Sequence, residues 1–124
     1  MSAQTPLSRV EGLGAAHSGT THFWRQRVSA AALVPLAIWF VVAVLGLVGG
    51  TEAETVGFFQ RPVNAALMAA FMVIALYHMM LGLQVVIDDY VHSDGPKIFL
   101  MLLNRAFAIA VGAATLLALL RIVI

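Results

Sequence analysis

Three long apolar stretches constrain this chain more than any other feature. They cover about residues 28–48, 63–87 and 98–120, and each is longer than 20 residues. An α-helix rises about 1.5 Å per residue, so about 20 residues cross the hydrocarbon core of a bilayer. The first two stretches contain no charged residue, and the third contains only Arg105. We therefore predict an all-α integral membrane protein with three transmembrane helices. Small residues in each stretch allow close packing, either within this chain or against a second membrane subunit in a heteromeric helix bundle, and composition does not separate the two.

Composition excludes the main alternatives to a membrane protein. Of the 124 residues, 61% are hydrophobic and 10% are charged, whereas a soluble domain has about 25% charged residues. A net charge of +1 excludes a general nucleic-acid binder, which needs a basic surface. The absence of cysteine excludes disulfides, a cysteine zinc site and an iron–sulfur cluster held by this chain.

The rest of the chain divides into a leading segment and two connectors. Residues 1–27 are polar and predicted to be irregular, and they lack the pattern of a cleaved signal peptide. Residues 28–124 form the membrane anchor, with connectors at 49–62 and 88–97. Pro62 and Pro96 suit the first turn of a helix, where a missing N–H costs nothing.

Basic residues predict the orientation, because positive side chains favour the cytoplasmic face. The leading segment and the second connector share one face, and the first connector and the C-terminus share the other. The first face carries five basic residues and the second carries two. They are Arg9, Arg25, Arg27, Lys97 and, if its side chain reaches back, Arg105 on the first face, and Arg61 and Arg121 on the second. We predict a cytoplasmic N-terminus and a C-terminus on the outer face, which is the periplasmic face where the membrane is a bacterial (or mitochondrial-type) inner membrane.

His78 is the residue most suggestive of chemistry. It lies about 10 residues inside the second stretch, or roughly 15 Å deep at about 1.5 Å per residue. An ionisable group at that depth needs a partner, and a neutral imidazole is a good metal ligand. The residues alone leave two interpretations equally open: a metal ligand, or a histidine hydrogen-bonded to a neighbouring helix. His17 and His22 fall in the leading segment and His92 in a connector, so we expect no second histidine near it.

Helical spacing connects His78 to the end of its stretch. Gly82, four residues on, shares its face and leaves room for a flat macrocycle. Eleven steps of about 100° bring Asp89 within about 20° of the same stripe, while Asp88 lies about 80° away. Two carboxylates at a helix C-terminus oppose the helix dipole, which indicates a basic partner or a special role. Tyr90, beside them, is also typical of an interfacial aromatic anchor.

The pattern H-x3-G-x-Q-x4-D-Y-V, from His78 to Val91, resembles the small membrane-anchor subunits of succinate dehydrogenase, respiratory complex II. The block HFWRQRVSA at 22–30 resembles that family's lead-in to its first helix. Three helices in a chain of this length also fit. The resemblance covers about 100 residues, and its most specific part is the histidine followed eleven residues later by Asp-Tyr.

The resemblance implies a role in the tricarboxylic acid cycle and respiratory electron transport. His78 would be one axial ligand of haem b, opposite a histidine of the larger cytochrome b556 subunit. Tyr90 would hydrogen-bond a carbonyl oxygen of ubiquinone, the substrate, and Asp89 would support that site. Arg27 would lie near the haem propionates or the quinone entrance, with Arg25 as its competitor. A flavoprotein and an iron–sulfur subunit would be the further partners, and this chain would be a non-catalytic anchor.

Two other interpretations remain open at this point. The chain is a haem-free structural or assembly subunit if His78 is only packed between helices. It is a small proton-coupled transporter if Asp89 and His78 relay protons. Transporters usually show an inverted repeat or interrupted helices, and neither is visible in the sequence.

Overall fold

Four α-helices account for almost all of residues 18–124. The computed structural model describes residues 5–7 and 18–124. In chain order the helices are α1 (Ser18–Leu47), α2 (Glu52–Phe59), α3 (Pro62–Tyr90) and α4 (Asp94–Val123). α1, α3 and α4 are long and apolar enough to cross a membrane. This confirms the predicted all-α chain with three transmembrane helices.

α3 is the central helix, because α1 and α4 both pack on it. Ser29, in the first half of α1, contacts His78 in the second half of α3. Asn104, in the first half of α4, contacts Met80 in the same part of α3. Both outer helices therefore run antiparallel to α3. The start of α1 lies at the same end of the bundle as the α3–α4 connection.

The three long helices extend beyond the apolar stretches that predicted them. They contain 30, 29 and 30 residues, which corresponds to about 45 Å of helix against about 30 Å of hydrocarbon. Their ends therefore reach the depth of the headgroups. Pro35 lies inside α1, and membrane helices tolerate such a proline because neighbouring groups satisfy the released carbonyl.

The predicted irregular segment is wrong for residues 18–27, which form the first turns of α1. Hydropathy reports where the hydrocarbon ends, but backbone N–H and C=O groups beyond that point still need partners, and a continued helix supplies them. His22 and Gln26 also turn buried polar atoms away from solvent. The predictions that fall on Arg9 and His17 lie outside the described residues.

α2 was not predicted, although the sequence contains its start signal. The Thr51 hydroxyl accepts a hydrogen bond from the Glu54 N–H at 3.3 Å, and the Glu54 carboxylate accepts one from the Thr51 N–H at 2.6 Å. This reciprocal pair is a capping box, which satisfies two N–H groups at a helix start. Gly49, with φ of 78°, makes the turn out of α1 that a residue with a side chain rarely adopts.

The connector helix is held against the long helices. The Asn64 side chain of α3 donates to the Phe58 carbonyl at 2.9 Å. The Phe58 ring stacks on Trp39 of α1, with 6.4 Å between ring centroids. α2 therefore covers the end of the bundle opposite the α3–α4 connection.

Very little apolar side chain is buried in this fold. Among the described residues, the buried apolar positions are Ala43, Ala65, Leu81 and Leu119. Large apolar side chains on the outer helices, such as Val42 and Leu117, are more than 60% exposed. A soluble domain of this size buries about two thirds of its unfolded surface. The exposed helix faces therefore require lipid or other membrane subunits as neighbours.

We expect the start of α2 to weaken in acid. Hydrogen bonds from the backbone N–H and the hydroxyl of Thr51 hold the pKa of the Glu54 carboxyl below its usual value of 4.5. With a lowered folded-state pKa, the contribution to stability is present above the usual pKa and is lost as pH falls through the folded-state pKa. Amide hydrogen exchange of residues 52–59 in lipid nanodiscs, corrected for intrinsic rates, should show protection falling in that range.

The matched control for this effect is the other carboxylate in the first turn of α2, Glu52. Glu54→Gln should remove the acid-dependent loss of protection, whereas Glu52→Gln should retain it. An identical acid response in the wild type and in Glu54→Gln would contradict the assignment.

Candidate functional site

His78 is hydrogen-bonded across the interface between α1 and α3. Its Nδ1 lies 2.9 Å from the hydroxyl oxygen of Ser29. The same hydroxyl donates to the Gln26 carbonyl at 3.0 Å, three residues back on α1. Ser29 is 6% exposed, so water does not compete for these bonds. The sequence predicted that His78 needs a partner, and the structure identifies Ser29, a residue that sequence reasoning did not single out.

A cavity of about 450 Å³ opens beside His78, and polar side chains contribute to its wall. Gln26 and Arg27 are among these polar side chains. The complete lining is Gly19, His22, Phe23, Gln26, Arg27, Ala30, His78 and Val85. All but two of these residues come from α1, so the docking of α1 on α3 creates the cavity.

His22 lies in this cavity, which corrects an expectation. The sequence placed it in an irregular tail away from His78, but the first turns of α1 carry it to the wall that His78 also lines. Its Nε2 is buried and has no hydrogen-bond partner among the residues that the structure describes, and the same holds for the Oε1 of Gln26. Buried polar atoms are normally hydrogen-bonded. Within residues 18–124, both atoms therefore lack the partner that a buried polar atom normally has.

The two arginines of the lead-in block face different cavities. Arg27 lines the His78 cavity, and its guanidinium lies 5.1 Å from the centre of the Phe23 ring, a cation–π contact that restrains the side chain. Arg25 lines a separate apolar cavity of about 390 Å³, together with Trp24 and Tyr77. Of the two candidates, Arg27 is the one that shares a cavity with His78.

Gly82 faces α1 one turn beyond His78. A Cβ atom built on it would lie 3.6 Å from the Nε2 of Gln26, which is ordinary contact rather than a clash. The glycine therefore lies against the residue whose other amide atom is unpartnered in the cavity. Room for a flat macrocycle at this position stays a prediction.

Asp88, Asp89 and Tyr90 end α3 on its exposed surface. Asp88 forms an ion pair with Lys97 of α4 at 2.9 Å, which supplies a basic partner for one of the two carboxylates. Asp89 is exposed and Tyr90 is 79% exposed. The structure therefore does not bring Asp89 and Tyr90 together with His78. Eleven residues of helix separate Asp89 from His78, or about 16 Å.

Asn104 is a second buried polar residue in the bundle, and sequence reasoning missed it. It is 8% exposed, and its side-chain N–H donates to the Met80 carbonyl at 2.9 Å. The bond joins α4 to α3 two residues from His78. The available signal was an amide inside an apolar stretch. A polar group at that depth also singled out His78, but in the third stretch the interpretation considered only the charge of the neighbouring Arg105.

Comparison with known proteins gives a consistent result. The family described as "Succinate dehydrogenase/Fumarate reductase transmembrane subunit" matches residues 1–119. The succinate dehydrogenase hydrophobic membrane anchor subunit of Paracoccus denitrificans is 36% identical over 117 residues, covering 94% of this chain and 90% of that protein. The succinate dehydrogenase membrane anchor subunit of Reclinomonas americana is 31% identical over 97 residues, covering 76% and 81%. No solved structure matches the chain.

We expect Asn104→Leu to loosen α4 from α3. The substitution removes the bond to the Met80 carbonyl, and hydrogen bonds between membrane helices contribute about 0.6 kcal/mol on average and up to about 1.7 kcal/mol. Thr115→Val is the matched control, because the Thr115 hydroxyl bonds only the Val111 carbonyl of its own helix. Thermal unfolding in mild detergent should show a lower midpoint for Asn104→Leu than for Thr115→Val. Equal midpoints would assign Asn104 no tethering role.

Proposed function

Because the chain belongs to the succinate dehydrogenase/fumarate reductase transmembrane subunit family, in which it is a non-catalytic membrane anchor subunit, we propose that it contributes one ligand of a haem b and part of a ubiquinone-reduction site. His78 is the proposed haem ligand, and Tyr90 and Asp89 are the proposed quinone residues. The observation that carries the proposal is a hydrogen-bonded His78 beside a cavity with a cationic wall.

The residues around the cavity fit a b-type haem. His78 supplies one imidazole, the ring nitrogen not bonded to Ser29 is the candidate ligand atom, and Arg27 provides positive charge for propionate carboxylates. Within residues 18–124, no cluster of three or more His, Cys, Asp or Glu side chains forms a metal site, so the iron would be held by a cofactor and not by the protein alone. When bound, the haem supplies a one-electron redox centre.

A single ligand histidine leaves half of such a site to another protein. A second histidine ligand would come from the larger cytochrome b556 subunit, and the exposed apolar faces of α1 and α4 offer the area on which such a subunit would pack. The flavoprotein and iron–sulfur subunits would dock at the end of the bundle where α3 terminates. Bilayer lipid would cover the remaining apolar surface.

Tyr90 and Asp89 suit a quinone at the membrane boundary. Ubiquinone is apolar with two carbonyl oxygens, and it takes up two electrons and two protons to become the quinol. The Tyr90 hydroxyl would donate to one carbonyl, and the Asp89 carboxylate would help to pass protons from water. The electrons would come from the iron–sulfur subunit. The exposure of Tyr90 agrees with a site that is completed by other subunits.

The orientation of the bundle supports this arrangement. Arg25, Arg27 and Lys97 lie at the end where α1 begins and α3 meets α4, while Arg61 and Arg121 lie at the other end. By the excess of basic residues, the first end is cytoplasmic in an inner membrane, with the N-terminus inside and the C-terminus in the periplasm. Tyr90 and Asp89 are then on the side from which the soluble subunits deliver electrons.

A haem-free anchor remains the alternative with structural support, since Ser29 already satisfies one nitrogen of His78. The transporter interpretation gains none, because α1, α3 and α4 are continuous helices, whereas transporter sites typically use interrupted ones.

We expect His78→Ala to reduce haem content or to convert the haem to a high-spin form, because one axial ligand is lost. The measurement is the visible absorption spectrum of the purified complex, reduced minus oxidised. His92→Ala is the control, because His92 lies exposed in the α3–α4 connection and its loss should leave the spectrum unchanged. A normal low-spin b-type spectrum in His78→Ala would remove His78 as a ligand.

We expect Tyr90→Phe to impair quinone reduction while succinate oxidation by a water-soluble dye continues. The substitution keeps the ring, so an interfacial anchor would be unaffected. A neutral hydrogen bond contributes about 0.5–1.5 kcal/mol and more when a buried acceptor is left unpaired, and about 1.4 kcal/mol of barrier is a factor of ten. The ratio of quinone to dye reduction in membranes should therefore fall roughly tenfold or more.

The neighbouring carboxylates provide a matched pair for the same measurement. Asp89→Asn should also lower the ratio, whereas Asp88→Asn, which breaks an exposed ion pair with Lys97, should cost about 0–1 kcal/mol of stability and leave the ratio near the wild-type value. Equal ratios for the wild type and Tyr90→Phe would reduce Tyr90 to an anchor. Equal effects of Asp88→Asn and Asp89→Asn would remove the specific role of Asp89.

A further inference from the structure

We propose that Ser29 is a positioning residue that fixes the tautomer of His78, with the proton on Nδ1 and the lone pair on Nε2. The tautomer follows from the contacts of this chain alone, but its importance rests on the proposed function of His78 as a ligand. Ser29 touches no cofactor in this proposal and acts only through the imidazole.

The assignment comes from counting protons. A serine hydroxyl has one hydrogen, and the Ser29 oxygen lies 3.0 Å from the Gln26 carbonyl and 2.9 Å from the Nδ1 of His78. The carbonyl can only accept, so the hydroxyl hydrogen must point to it for that contact to be a hydrogen bond. The serine oxygen then offers only a lone pair to His78, and Nδ1 must carry the proton.

The opposite tautomer leaves one of the two contacts without a hydrogen. If Nδ1 were unprotonated, Ser29 would donate to it, and two oxygens would face each other at 3.0 Å with no proton between them. Ser29 is buried, so water does not relieve that repulsion. The arrangement with Nδ1 protonated avoids that repulsion, because it places a hydrogen in each of the two contacts.

The consequence is an imidazole prepared for coordination. A histidine binds a metal through an unprotonated nitrogen, and the hydrogen bond made by the other nitrogen selects which one that is. With Nδ1 committed to Ser29, Nε2 keeps its lone pair. The bond also strengthens the imidazole as a donor, which stabilises the more oxidised metal. Because Ser29 belongs to α1 and His78 to α3, the packing of the two helices determines which ring nitrogen of His78 is free to bind a metal.

The test is the midpoint potential of the haem in the purified complex, determined by optical redox titration. Ser29→Ala removes the acceptor of the Nδ1 proton and should weaken the ligand, so the potential should rise. A tenfold loss of ferric over ferrous affinity corresponds to about 59 mV for a one-electron couple. Ser29→Thr restores the hydroxyl and should return the potential to the wild-type value.

Thr115→Val is the control for the loss of a helical hydroxyl, because Thr115 bonds only its own helix, and it should leave the potential unchanged. A purely structural role for Ser29 would lower the yield of complex without moving the potential. An unchanged potential in Ser29→Ala, or an equal shift in Ser29→Ala and Ser29→Thr, would overturn the proposal.

A second readout separates this inference from the proposed function. A wild-type complex without a b-type spectrum would refute the haem site. The tautomer would then be determined by solid-state ¹⁵N NMR of the histidine-labelled complex, with the His78 signals identified by their loss in His78→Ala. We expect a protonated Nδ1 and an unprotonated Nε2 in the wild type, and a mixture of tautomers in Ser29→Ala. A protonated Nε2 in the wild type would overturn the assignment of Ser29.

Discussion

The need of polar groups for partners inside a membrane determines how this bundle is organised. Within the hydrocarbon, water does not satisfy a buried imidazole or amide. Each of these groups therefore needs a hydrogen-bond partner on another helix, and both of the hydrogen bonds that result involve α3. Ser29 of α1 contacts His78, and Asn104 of α4 contacts the Met80 carbonyl. Two hydrogen bonds two residues apart on α3 thus fix both outer helices where the chain has almost no apolar core.

Sequence reasoning succeeded where it depended on length, hydropathy and burial cost. The hydrocarbon core accepts long apolar helices and offers no hydrogen bonds to a polar side chain. The three spans, their order and the need of His78 for a partner follow from these two properties. It failed where polar residues continue a helix beyond the hydrocarbon. Hydropathy cannot distinguish a polar helical turn from a polar loop, so residues 18–27 were assigned to the wrong class and His22 was placed outside the cavity that it lines.

Partners across the interface were a second limit of the sequence. Ser29 is a small residue among alanines, and only the antiparallel packing of α1 on α3 places its hydroxyl beside an imidazole that lies 49 residues further along the chain. The ion pair of Asp88 with Lys97 differs, because the sequence already indicated a basic partner at the end of α3. Helical geometry already separated Asp88 from the stripe of His78, and the unfavourable dipole at the end of α3 already called for a basic neighbour.

The placement of His78 and Tyr90 on one continuous helix has a consequence for the proposed haem and quinone sites. An α-helix within a membrane keeps its backbone hydrogen bonds because no alternative partner is present. The separation of about 16 Å along the axis between His78 and Asp89 is therefore set by the hydrogen-bonded helix and not by loop conformation. α3 would then fix the distance between the proposed haem site around His78 and the proposed quinone site at its end. In that proposal, neighbouring subunits would complete both sites without having to define the distance between them.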